Sequence, residues 1–159
     1  MRFWASRMRK GERDMFDNEM RISFLGVSQN ESFARMVAAA FASQLNPTIE
    51  ELTDIRTAVS EAVTNAIIHG YSGMRGMVTM ECGIQGRTFT VTVRDEGRGI
   101  ADVALAMQPF YTRVPSLERS GMGFAVMEAF MDSVQVESSL GQGTMVIMKK
   151  EIAAVGCDE

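Results

Sequence analysis

The stretch from Thr48 to Gly70, TIEELTDIRTAVSEAVTNAIIHG, constrains this chain more than any other. It follows an Asn46-Pro47 break, and Thr48-x-x-Glu51 has the form of a capping box, in which a hydroxyl and a carboxylate satisfy orphan N–H groups at a helix start. Leu52, Ile55, Val59, Ala62, Val63 and Ala66 then recur at helical spacing. The pattern predicts a helix to about His69, with Gly70 as its C-terminal cap. So long an apolar stripe must be buried against a second layer. At about 100° per residue, Glu61 and Asn65 fall opposite it, with Asp54, Ala58 and Ile68. Four residues apart, Glu61 and Asn65 stack on one face. Their oxygens suit a hard cation such as Mg²⁺, or a water that must lose a proton. An E-x-x-x-N pair is equally at home on a solvated face, so the rest of the chain must decide.

The flanking segments supply the second layer. Arg21–Val27 alternates and reads as a strand; Ser28-Gln-Asn-Glu31 has the form of a second capping box, opening a helix to about Leu45. Phe33, Met36, Val37, Ala40 and Phe41 are its expected core face, and Asn30, Glu31, Arg35 and Ser43 its polar one. Met77–Gly83 and Thr88–Asp95 form a hairpin around Gly86, and Ser133–Ser139 with Thr144–Lys150 a second one. Between the hairpins lie a short helix over Ile100–Met107, an irregular stretch Gln108–Ser120, and a helix over Phe124–Met131. The irregular stretch holds Pro109, Pro115, Arg113 and Arg119, and a segment this long without regular structure is usually functional or disordered. Residues 1–17 read as a disordered arm, 18–150 as one domain and 151–159 as a frayed tail.

Composition removes several classes of function. With 46% hydrophobic and 23% charged residues the chain is ordinary for a soluble globular protein, and a net charge of −4 argues against a nucleic-acid coat. Cys82 and Cys157 fit no metal or redox spacing, and His69 has no partner at ligand spacing. No apolar run approaches the ~18 residues of a membrane span, and no apolar stretch follows the basic N-terminus as in a secretory signal. The expected location is the cytoplasm, without membrane or direct nucleic-acid contact.

Two turns carry more. Asp95-Glu-Gly97-Arg-Gly99 puts a carboxylate at a strand end, followed by glycines that let the backbone turn tightly where something approaches closely. Ser120-Gly121-Met122-Gly123 opens a helix, whose free N–H groups and dipole suit phosphate. No Walker A loop and no G-x-G-x-x-G after a strand occurs.

Each motif alone is weak; their order and spacing are specific. The stretches SQNESFAR, SEAVTNAIIHGY, RDEGRGI and LERSGMGF, with Gly143-Thr144 in the last hairpin, resemble the Bergerat-fold ATPases. That superfamily includes histidine kinases, gyrase B, heat-shock chaperones and mismatch-repair ATPases. Within it the chain looks like the anti-sigma serine kinases of the sporulation, sigma-F type, over roughly Asn18 to Lys150. The resemblance implies an α+β two-layer sandwich, with a mixed, mainly antiparallel sheet covered on one face by helices.

It also implies roles. Glu61 would be the general base on a serine hydroxyl, and Asn65 would hold Mg²⁺ against the phosphates of ATP or ADP. Asp95, supported by Thr144, would accept from the adenine amino group, and Gly97 and Gly99 would let the backbone approach the nucleotide. Ser120, Gly121, Met122 and Gly123 would wrap the phosphates, with Arg119 or Arg113 meeting the γ-phosphate. Glu31 and Arg35 on the first helix become candidates for partner docking. The implied partners are a sigma factor, an anti-anti-sigma protein phosphorylated on serine, and a second copy of the chain. Two alternatives stay open: a nucleotide-gated sigma-binding module without catalysis, and a stress-response kinase of the same family.

Overall fold

A computed structural model describes residues 15–108 and 123–154 of the chain. Five strands form one sheet in the order β1-β2-β3-β5-β4: β1 (Asn18–Leu25), β2 (Met77–Gln85), β3 (Thr88–Asp95), β4 (Ser133–Ser139) and β5 (Gly143–Glu151). Among the described residues every pairing is antiparallel, where a mixed, mainly antiparallel sheet was expected. Helices α1 (Gln29–Ala42), α2 (Ile49–Asn65) and α4 (Gly123–Phe130) form the second layer, and α3 (Val103–Ala106) is a single turn. This is the expected two-layer sandwich.

The core lies between the layers. The alternation of β2 and β3 sends Val78, Met80 and Ile84, and Phe89, Val91 and Val93, to one face, where they are buried with Met148 of β5. Ile55, Val59, Ala62 and Val63 of α2 meet them, all almost wholly buried. The Thr48 capping box forms as expected: the Thr48 hydroxyl accepts from Glu51 N–H at 3.1 Å, and the Glu51 carboxylate accepts from Thr48 N–H at 2.9 Å.

The first helix departs from expectation in two ways. Ser28 is already in helical conformation (φ −58°, ψ −30°), so its hydroxyl caps nothing, and Glu31 turns away to α2. The buried stripe of α1 is Ala34, Ala38 and Ala42, while Phe33 and Met36 stay 50% and 56% exposed and Ala40 is exposed too. Small side chains let α1 approach α2 closely, and this rotates the larger apolar residues outward.

Element ends differ as well. β1 starts at Asn18, and the residues just before it are held: Asp17 N–H donates to Ile84 O at 2.7 Å and the Asp17 carboxylate accepts from Gly86 N–H at 2.7 Å. Asp17 is thereby tied to the β2–β3 hairpin, and the Phe16 ring lies against Gly83. The tail is likewise tied down at its start. Ile152 is buried, and the Arg87 guanidinium donates to Ile152 O, Ala153 O and Leu45 O at 2.9, 2.6 and 2.8 Å.

The end of α2 is the most consequential difference. The chain does not stop at Gly70 but widens into a π-helical stretch, Ala66–Tyr71, and the left-handed residue that ends it is Ser72 (φ 49°). Gly70 serves contact, not capping. A Cβ there would lie 2.7 Å from the Asp95 carboxylate, and one on Gly97 only 1.9 Å from Gly70 O. Gly97→Ala is therefore expected to lower stability by about 1–3 kcal/mol or more through overpacking. Gly86→Ala has open space around it and only a φ of 57° to tolerate, at about 1 kcal/mol. Urea unfolding of both variants checks the order; a Gly97 variant no weaker than the Gly86 one would contradict it.

Candidate functional site

Glu61 and Asn65 lie on the α2 face opposite the core stripe, as the helical period dictates, but that face is not a solvated surface. Ala58 on the same face is fully buried, and Glu61 and Asn65 are half-buried. Their cover is the start of α4. A Cβ on Gly123 would lie 3.1 Å from Asn65 Nδ2, 3.2 Å from Asn65 Oδ1 and 3.3 Å from Glu61 Oε2. Two motifs remote in sequence thus meet, with the first residue of a helix seated directly on a carboxylate and a carboxamide. The unpaired N–H groups and dipole of such a helix start favour an anion beside it. Ser120, Gly121, Met122, Arg113 and Arg119 fall outside the described residues.

The second half of the site is built around Asp95, the last residue of β3. It is 4% exposed and lies against Gly70, at the end of the helix that carries Glu61 and Asn65. Gly97 N–H donates to Asp95 Oδ1 at 2.9 Å. Burial pushes the carboxyl up to about 6 from its ordinary 3.8, against the pull of the backbone N–H groups of Gly97 and Thr144. Thr144 pairs with Asp95 across the ladder, and its hydroxyl is 2.8 Å from Ser138 Oγ. Ser138 Oγ donates to Gly143 O at 3.0 Å and accepts from Ile100 N–H at 2.7 Å. Since that uses the one Ser138 proton, the Thr144 hydroxyl is the donor between the two.

The turn after Asp95 is clamped from both sides. Arg98 N–H donates to Gly70 O at 2.9 Å, and Gly141 N–H, from the β4–β5 turn, donates to Arg98 O at 2.7 Å. Glu96 N–H donates to Tyr71 Oη at 2.9 Å, and the Tyr71 hydroxyl donates to Met77 O. Gly99 has a φ of 73° and would place a Cβ 2.0 Å from Ser139 O, so both glycines of the motif are required by contact or conformation. Sequence reasoning missed Tyr71, Ser138 and Gly141, and read Gly70 only as a cap. Of these, only the Gly70-Tyr71 pair carried a signal, directly after the E-x-x-x-N helix.

Glu31 and Arg35 are not part of this cluster. They sit on α1, on the other flank of α2, with Arg35 Nη1 3.9 Å from Glu31 Oε1. Among the described residues no group of three or more His, Cys, Asp or Glu side chains could hold a metal, and no helix is long and apolar enough to cross a membrane. What the site offers a hard cation is the oxygens of Asn65 and Glu61. That fits Mg²⁺, which keeps most of its waters and binds through one or two protein oxygens plus phosphate.

Residues 28–150 match the histidine kinase-like ATPase domain. The match to curated relatives runs over almost the whole of their length. An anti-sigma F factor of Clostridium kluyveri is 61% identical over 136 residues, 86% of this chain and 96% of the relative. One from Clostridium acetobutylicum is 56% identical over 141 residues, 89% and 99% of the two chains, and one from Thermoanaerobacter pseudethanolicus 56% identical over 139 residues, 87% and 97%. A solved structure of the RsbU and RsbW domains of a Mycobacterium tuberculosis protein superposes with a TM-score of 0.62 at 18% identity, over 85% of this chain and 32% of that one. This last likeness concerns the fold.

A pH signature follows from Asp95. Its carboxyl is held at about 6 in the fold against 3.8 ordinarily, so the folded state binds the extra proton between those values. Its stabilising contribution is full below about 3.8 and is lost as pH rises through about 6, on the order of 3 kcal/mol in all. Asp95→Asn, a neutral group of the same shape, should remove that part of the slope. Denaturant melts of both proteins from pH 4 to 7.5 test it; identical slopes would contradict the burial argument.

Proposed function

The chain belongs to the anti-sigma F factor family of histidine kinase-like ATPases, and from that premise we propose that it is a partner-switching serine kinase. It holds a sporulation sigma factor away from RNA polymerase, and it uses Mg-ATP to phosphorylate a serine of the anti-anti-sigma protein that would displace the sigma factor. It acts in the cytoplasm, as a dimer. The observation that supports this best is the seating of Gly123 on Glu61 and Asn65, because a binding module has no need of a carboxylate at that place.

The residues divide the work. Asp95 takes the adenine end, since an ionised carboxylate accepts from the adenine amino group and finds no donor on guanine's carbonyl edge. Thr144, its partner across the ladder, supports Asp95 there. Gly97 and Gly99 keep the backbone close there. The α4 start and the residues before it, Ser120 to Met122 with Arg119 or Arg113, take the phosphates. The Asn65 carboxamide oxygen would hold Mg²⁺, which when bound would supply neutralisation of the phosphate charge. Glu61 removes the proton of the acceptor serine as its Oγ forms a bond to the γ-phosphorus and the bond from that phosphorus to the bridging oxygen breaks. ADP leaves with the electron pair. A serine hydroxyl is a poor nucleophile until that proton goes, and the remaining demands are positioning and charge neutralisation. Glu31 and Arg35 dock the protein partners on α1.

Glu61→Ala should lower transfer of label from γ-labelled ATP to the anti-anti-sigma serine by a factor of roughly 10²–10⁴, the usual worth of a general base. ATP affinity should change by less than about threefold, under 1 kcal/mol. Transfer assays and calorimetry on the same preparations check both. Loss of nucleotide binding together with transfer would refute the assignment of Glu61 as base, and wild-type transfer would refute it as well.

A further inference from the structure

The seam between α1 and α2 holds a polar cluster that the transfer chemistry does not use. Ser60 is half-buried in it, and its hydroxyl donates to Glu31 Oε1 across the seam. That same oxygen lies 3.9 Å from Arg35 Nη1, one turn further along α1. Arg35 Nε is buried and has no hydrogen-bond partner among the described residues. Among the described residues the guanidinium is held only by that loose ion pair, and the side chain is 36% exposed, so its terminal nitrogens keep donor capacity for a carboxylate or carbonyl that arrives from outside. Its orientation depends on where Glu31 sits. Among the described residues, the one that reaches across from the other helix to fix Glu31 is Ser60, and its neighbour in the chain is Glu61.

We propose that Ser60 is a positioning residue for partner docking: its hydrogen bond locks the Glu31 carboxylate, so that Glu31 and Arg35 meet the protein substrate in one geometry and at a fixed offset from Glu61. The proposal rests on the docking role given to Glu31 and Arg35 above. Without the hydroxyl, Glu31 and Arg35 regain rotamer freedom, and the substrate must order both side chains as it binds. The effect falls on recognition of the protein substrate, not on the nucleotide or on the chemical step.

Three variants of the full chain separate the possibilities: Ser60→Ala, Ser60→Thr and Glu31→Ala. For each, the KM for the anti-anti-sigma protein, kcat at saturating ATP, and the ATP dissociation constant are measured. Ser60→Ala should raise KM about tenfold, the scale of one hydrogen bond to a charged group, with kcat and ATP affinity within about twofold. Ser60→Thr, which keeps the hydroxyl, should restore KM. If Glu31→Ala raises KM while Ser60→Ala leaves it at the wild-type value, the positioning role is wrong and the docking pair stands. If both leave KM unchanged, the docking reading falls and the proposal with it. A Ser60→Ala loss spread equally over KM, kcat and ATP affinity, unrescued by threonine, would mark a structural role only and overturn the proposal.

Discussion

The buried carboxylate of Asp95 is the constraint around which the site is arranged. Leaving a carboxylate 4% exposed is unfavourable, and the fold offsets it with backbone N–H groups from Gly97 and Thr144. Bringing those groups so close requires that Gly70 and Gly97 carry no side chain. Hydrogen bonds to Gly70 and Tyr71 of the π-helical stretch and to Gly141 of the β4–β5 turn then fix the turn. A group held at such cost to stability is the usual mark of a functional position.

Helix α2 distributes the remaining tasks around its circumference. One stripe packs on the sheet, the opposite face meets the start of α4 at Glu61 and Asn65, and a flank meets α1 through Ser60. Its last turns widen so that Gly70 reaches Asp95. A single rigid element thus sets the spacing between the adenine end, the phosphate end and the docking surface of the proposed kinase.

Much of this was legible in the sequence because it depends on local pattern. β3 and β4 fall on Thr88–Asp95 and Ser133–Ser139 as read, since period-two alternation marks both the faces and the ends of a strand. The Thr48 capping box formed, its partners being three residues apart. Features set by other elements were not legible. Ser28-x-x-Glu31 has the same letters, yet Glu31 finds Ser60 instead of its own helix start. The face of α1 was read only in part: Val37 and Phe41 pack against the core as expected, but periodicity also favoured the large residues Phe33 and Met36, whereas close helix packing selected Ala34, Ala38 and Ala42. Gly70 looked like a cap because the carboxylate it accommodates lies far along the chain. Glu61, Asn65, Asp95 and Gly123 were found as motif positions, but only the tertiary fold brings Gly123 onto Glu61 and Asn65 and Gly70 onto Asp95.

The most direct test of the account is a calorimetric comparison of ATP and GTP binding in Mg²⁺ at pH 7.5, where Asp95 is ionised. If Asp95 reads the adenine amino group, ATP should bind at least tenfold more tightly than GTP, the scale of leaving a buried acceptor facing another acceptor. Equal affinity for the two nucleotides would mean that Asp95 does not read the base, and the assignment of the site's adenine end would be wrong.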